Sequence, residues 1–236
     1  MSETSIRQRR KEARPQELLE AALDLFVEKG FAATRSEEVA ARAGVSKGTL
    51  YLYFPSKEEL FKAVVRQTLS AEIAEGAKVL EAHTGTVTER LVDVLSEWWA
   101  RVYDSPGSGV FKLAITEMRN FPELAQFYAD EVIRPGTNLI ARLIQSGIDS
   151  GEFRPIDVPS AVHSVVMPMI MLCMHKHSLG ACGLGEPMFA EPRVFIEQHL
   201  RLLINGMRKP ATSDHCPADP AAAPGPAPQQ PPKIEA

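Results

Sequence analysis

The chain has 236 residues, 26 Lys and Arg against 30 Asp and Glu for a net charge of −4, and 44% apolar residues. That is enough for one or two units with real hydrophobic cores and is an ordinary soluble balance. The total charge carries no sign of nucleic acid, no apolar run reaches the length expected of a bilayer span, and three cysteines (Cys173, Cys182, Cys216) are odd in number with no zinc spacing. A reduced, cytoplasmic compartment follows as the expectation.

The N-terminus, MSETSIRQRRKEAR, has no apolar h-region. It holds five bases and two acids, so residues 1–13 are expected as a flexible basic arm, able to touch phosphates or simply to be solvated. PQELLEAALDLFVEKG then reads as a helix from Pro15 to Gly30, with Leu19, Ala22, Leu23 and Phe26 on one face. Thr34-Arg35-Ser36-Glu37 reads as a capping box opening a short second helix. Gly44 can turn left-handed without steric cost. Ser46 caps a third helix ending near Leu52, and Pro55 stops it. Ser56-Lys57-Glu58-Glu59 opens a long fourth helix to about Leu80.

Further starts fall at Thr86–Glu89, around Pro122 and at Asp157, with a last amphipathic helix in PRVFIEQHLRLLINGM. No period-2 strand is visible, so the fold class is all-α. Pro135 and Pro168 interrupt helical patterns, where an interior proline kinks a helix. From residue 209 to 236 the composition turns to Pro and Ala, the mark of a disordered tail.

The third helix is too short to be stable alone, because nucleation is costly. It makes sense as an element held out by its neighbours, and with the second helix it has helix-turn-helix proportions. Val39, Ala40, Val45 and Leu50 pack inward. Ser46, Lys47, Thr49, Tyr51 and Tyr53 are left outward, where a helix tip can read base edges while Tyr53 and Lys57 hold phosphates.

GFAATRSEEVAARAGVSKGTLYLYFPSKEELF resembles the DNA-binding domain of the tetracycline-repressor (TetR) family of regulators. The resemblance rests on Gly30-Phe31, Thr34, Val39-Ala40, Ala43-Gly44-Val45-Ser46, Gly48-Thr49-Leu50-Tyr51, Tyr53-Phe54 and Ser56-Lys57. It implies a DNA-binding head over residues 14–62, with the fourth helix continuing to about 80, and a ligand-binding and dimerisation domain over 78–208. Carried over residue by residue, it puts Thr34 and Ser36 near phosphates, Ser46, Lys47, Gly48, Thr49 and Tyr51 at the groove, and Tyr53 and Lys57 on phosphates. Thr34 serves equally as a cap. Leu52 departs from the family pattern. The implied partners are a double-stranded, palindromic operator and a second copy of the chain, paired through the last two long helices. A small hydrophobic effector of unknown identity completes the set, with no membrane, no cofactor and no catalytic residues.

Trp98, Trp99, Tyr103, Phe111, Met118, Phe121, Phe127 and Met171 are candidates to line the effector pocket. CMHKHSLGAC invites a metal reading through Cys173, His175, His177 and Cys182. Residues two apart on a helix point about 200° apart, so the two histidines cannot share a site; no metal is expected. The leading reading is a ligand-responsive regulator, a repressor ahead of an activator. The rivals are a helical enzyme, for which no nucleophile and base set is visible, and an interaction protein that has lost DNA binding.

Overall fold

The structure, a computed structural model, describes residues 3–183 and 191–209, with backbone alone for 3–13. Among the described residues it is helical throughout, apart from one isolated antiparallel bridge between Phe153 and Arg208. The Pro/Ala stretch beyond Lys209 lies outside the described residues.

Helix α1 spans Glu3–Lys29, beginning well before the expected start at Pro15. Pro15 costs the helix a backbone hydrogen bond, but the Gln, Arg, Lys, Glu and Ala preceding it favour helix strongly. Helix α2 is Ser36–Arg42 and α3 is Lys47–Tyr53. The chain then forms three rods, each of them two α segments joined through a π turn. Rod α4 covers residues 57–82 with its π turn at Arg66–Ser70. Rod α5 covers 87–104 with a π turn at Arg90–Val94. Rod α7 covers 122–149 with a π turn at Ala129–Ile133. Between the last two lies α6, Gly109–Glu117, entered and left by 3-10 turns. Helices α8, Val158–Lys176, and α9, Pro192–Met207, follow.

The capping pattern is partly as the sequence suggests. Ser46, Ser56, Thr86 and Asp157 each accept a hydrogen bond from the backbone N–H three residues on, satisfying donors that a helix start leaves free. Thr34 does not cap α2. That helix starts one residue later, with the Glu38 carboxylate accepting from the Arg35 backbone N–H.

The core is continuous from head to body. In the head Phe26, Phe31 and Phe61 meet at ring-centroid distances of 5.3–5.8 Å, and Phe121 from the start of α7 stands edge-on to Phe31 at 4.8 Å. In the body, Glu152 closes the far end. Its carboxylate accepts from the N–H groups of Val87 and Thr88 at 2.9 and 3.0 Å, a carboxylate on the positive end of α5.

Helix α8 is the most apolar element. Val158–Cys182 has a mean hydropathy of 1.4, which by length and composition alone a membrane span or the core helix of a folded domain can have. Its exposed side carries Met167 and Met171 beside Ser160, His163 and Ser164, and α9 adds exposed Val194 and Leu202.

At its C-terminal end α8 is tied to the α5–α6 connection. Lys176 Nζ donates to the Tyr103 carbonyl and lies 4.7 Å from the Tyr103 ring centre, and His177 Nε2 is 2.8 Å from the hydroxyl of fully buried Ser108. Tyr103 therefore belongs to this clamp. Burial, with Lys176 and Lys112 nearby, pushes the His177 imidazole down to about 4. A histidine with a depressed folded value binds fewer protons than in the unfolded chain, so its contribution is present above about 6.5 and lost as pH falls towards 4. The melting temperature should fall across that window, and His177→Gln should flatten the fall; thermal melts at half-unit pH steps read it.

Candidate functional site

The first candidate site is the outer side of α3. Gly44, at φ +66, turns the chain between α2 and α3, and Val45 N–H donates back to the Ala40 carbonyl at 2.9 Å. Ser46 then holds the Thr49 N–H at 3.1 Å and its hydroxyl at 2.9 Å. Leu50 is fully buried against the head. This places Ser46, Lys47 and Gly48 exposed at the tip, with Thr49 and Tyr53 half-buried. Tyr51 is 39% exposed, and Leu52 faces out at 85%. Lys47 Nζ lies 5.8 Å from the Tyr51 ring centre and pairs with the Glu37 carboxylate of α2. That bond holds Glu37 below the usual carboxylate range and raises Lys47. Arg35 is exposed one residue ahead of α2; its role in the expected capping box hid it as a possible contact.

Three of the expected DNA contacts are turned inward. Thr34 is 1% exposed, and its hydroxyl sits 2.7 Å from the Gly30 carbonyl and 3.1 Å from that of Leu25. Ser36 is buried. Lys57 Nζ lies within 2.8–3.2 Å of the carbonyls of Phe31, Ala32 and Thr34, and 4.5 Å from the Phe31 ring centre. An ammonium has three donors, and these three carbonyls occupy them. Thr34 and Lys57 hold the α1–α2 turn together.

The second candidate site is a cavity of about 420 Å³ in the body, walled almost wholly by apolar side chains from α4 to α8. This lies in the range of small-molecule pockets. Trp98, Trp99, Phe111 and Met118 line it as expected. The other four expected residues do not. Tyr103 is in the α8 clamp, Phe121 packs on Phe31, and Phe127 lies 4.9 Å from the Arg66 guanidinium. Met171 is 59% exposed on the outside of α8. Each has the right chemistry on the wrong face of its helix. The residues that sequence reading missed include Tyr128, Ile73, Leu80 and Ile140. All three π turns border the cavity, through Leu69, Val94, Val132 and Ile133. Single π turns within α-helices recur at functional sites, and the apolar periodicity of a sequence does not announce them. Gly76 is needed on this wall: a Cβ there would come 2.9 Å from the Trp98 indole.

Two elements join the head to the cavity. Rod α4 gives Leu60, Phe61 and Val64 to the head core and Leu69 and Ile73 to the cavity. Helix α6 gives Phe111, Ala114 and Met118 from α6 and its exit turn to the cavity. Its other side reaches the head: Lys112 Nζ donates to the Val27 carbonyl at 3.3 Å, and the Glu117 carboxylate accepts from Ala32 N–H at 2.8 Å.

Comparison with known proteins decides the family. Residues 18–64 match the family model described as "Bacterial regulatory proteins, tetR family", and residues 81–179 match "Tetracyclin repressor-like, C-terminal domain". The chain is 33% identical over 147 residues, 62% of its length, to an uncharacterized HTH-type transcriptional regulator, YfiR, of Bacillus subtilis, and covers 71% of that protein. The chain belongs to the TetR family. It is a transcriptional regulator of that fold and not an enzyme. The fold recurs in FadR, the fatty acid degradation regulator of Bacillus halodurans, at a TM-score of 0.69 and 21% identity, covering 83% of this chain and 96% of that one. It recurs again in FadR of Bacillus subtilis solved with stearoyl-CoA, at 0.67 and 21%, covering 82% and 99%.

In this TetR-family member, among the described residues, no group of three His, Cys, Asp or Glu side chains is placed to hold a metal ion. Cys173 is buried, its thiol pushed up to about 12 by that burial, and His177 is taken by Ser108. Cys216 lies outside the described residues.

The inward placement of Thr34 and Lys57 makes a prediction. Thr34→Val should lower head stability by about 1–3 kcal/mol by removing the donor from buried and half-buried carbonyls, and Lys57→Met should lower it as well, by removing the donor from part-buried and exposed carbonyls of the turn. Chemical denaturation followed by circular dichroism, without DNA, measures it. If both variants unfold like the parent, the structural role is wrong.

Proposed function

We propose that the protein is a repressor that binds a palindromic operator as a homodimer and is released by a small apolar or aromatic effector in the body cavity. The observation that carries this reading is that the same two elements, α4 and α6, wall the cavity and hold the head. A ligand that prefers one arrangement of those helices changes the spacing of two recognition helices. Successive major grooves accept them only about 34–36 Å apart. By linkage, operator DNA then weakens the ligand by the same factor.

The DNA-reading surface is taken to be Ser46, Lys47, Gly48, Thr49, Tyr51 and Tyr53, with Arg35 added as a phosphate contact because its side chain is exposed beside them. The dimer is taken to form through α8 and α9. Its support is their exposed apolar residues Met171, Val194 and Leu202, since large exposed apolar patches mark interaction surfaces. Exposed Ser160 and Ser164 on α8 favour a second protein chain over lipid. Such a regulator works where the DNA is, in the cytoplasm. The stearoyl-CoA bound to the Bacillus subtilis FadR supports a fatty or otherwise greasy effector.

Lys47→Ala or Tyr51→Ala should weaken operator binding by about 1–3 kcal/mol with helicity intact, whereas Leu50→Ala should reduce both. The DNA is the fragment enriched by the protein from random sequence, and binding is read at fixed salt. Glu37→Gln should raise affinity and steepen the salt dependence, since it frees Lys47 and removes a charge that repels phosphate.

Ala114→Trp, which fills the cavity, should block or mimic the effector response. Operator binding across a panel of hydrophobic compounds, with dimer mass followed in parallel, tests the coupling. A compound that occupies the cavity and leaves operator affinity unchanged would refute it.

A further inference from the structure

Resting on the effector reading above, we propose that the occupant of the cavity is an uncharged, mainly apolar molecule carrying one hydrogen-bond acceptor, such as a carbonyl or ether oxygen, held by the Tyr128 hydroxyl. The wall contains few polar groups, and most are already engaged. Trp98 Nε1 donates to the Glu72 carbonyl at 2.8 Å. The Thr137 hydroxyl donates to the Ile133 carbonyl at 2.8 Å. His163 is exposed, its Nδ1 2.7 Å from the Pro159 carbonyl.

Tyr128 is different. It is 6% exposed and lines the cavity, and its hydroxyl has no hydrogen-bond partner among the described residues. A buried tyrosine normally finds one, because an unmade bond in an apolar site is costly. Burial raises its titration far above the ordinary value, so the group stays a neutral O–H donor. Trp99 Nε1 also lacks a partner, but it is sealed from solvent, so a ligand reaches it only if the ring turns.

The same wall disfavours charge. Its residues include no Lys, Arg, Asp or Glu, and its one histidine, His163, is exposed, so an ionised group deep within the cavity would lose its hydration with no counter-charge beside it. An anionic head, if the molecule has one, must stay outside.

The test uses three probes with one frame: diphenylmethane, benzophenone and 4-benzoylbenzoate. They differ by an apolar bridge, a carbonyl and an added carboxylate. Each competes against N-phenyl-1-naphthylamine, whose emission rises in apolar sites, on the full chain; Ala114→Trp serves as the filled-cavity control. Wild type should prefer benzophenone to diphenylmethane by roughly tenfold, the scale of one buried hydrogen bond. Tyr128→Phe should erase that preference and leave diphenylmethane binding unchanged.

Equal competition by the two neutral probes in wild type overturns the proposal, with or without a folded variant. So does a preference that survives in Tyr128→Phe, and so does tightest binding by 4-benzoylbenzoate. In those cases the cavity remains an effector site of another polarity. If the reporter binds wild type no better than Ala114→Trp and no probe displaces it, the effector reading itself fails, and this inference with it.

Discussion

The turn between the first two helices is the constraint on which the head depends. Gly30 takes a left-handed backbone at φ +87, and Phe31 beside it packs in the aromatic cluster. The polar backbone groups of the turn are met by side chains brought from elsewhere. Lys57 of α4 gathers three carbonyls, Thr34 covers two more, and Glu117 of α6 takes the Ala32 N–H. The left-handed φ of Gly30 is what favours glycine there, and a Cβ would also displace the Glu117 carboxylate, 2.0 Å away. The recognition helix has seven residues and could not persist alone. Its position is inherited from this turn through α2.

The body solves a different problem. A core of bulky apolar side chains ordinarily closes to crystal-like density, yet here about 420 Å³ stays open. Such a volume is far beyond a packing defect. Local departures from regular helix surround the opening: three π turns on its border and a glycine, Gly76, which lets the Trp98 ring lie close against α4. They place the least regular parts of α4, α5 and α7 around the space a ligand would enter, where small changes of helical register cost least.

Much of the head was legible from residue types alone. The serine caps at Ser46 and Ser56, the left-handed Gly44 and the inward Leu50 each follow from local chemistry and are found in place. What was not legible is which partners the polar residues find within the chain. Thr34 and Lys57, placed near phosphates by the family resemblance, bond carbonyls four to twenty-six residues away, and only the fold brings those together. The cavity was legible in composition and not in membership. Tryptophan, phenylalanine and methionine mark a greasy interior, but whether Phe121 or Tyr128 faces it depends on the rotation of α7, which a π turn shifts. A similar limit applies to α8, whose hydropathy resembles a membrane span while a third of it packs into the core.

The size of the joint contacts bears on how a ligand could act. Lys112 to the Val27 carbonyl and Glu117 to the Ala32 N–H are hydrogen bonds made by charged groups, a class worth about 1.5–3 kcal/mol. Allosteric couplings commonly amount to about 1–3 kcal/mol. Making or losing a single such bond in one of two arrangements is therefore sufficient for a large change in operator affinity, without any unfolding of the head. Because Lys57, Thr34 and the phenylalanine cluster tie α1, α2 and α4 to one turn, the head answers a shift of α6 as one body. In the proposed dimer the two recognition helices would then change spacing, and neither would change shape.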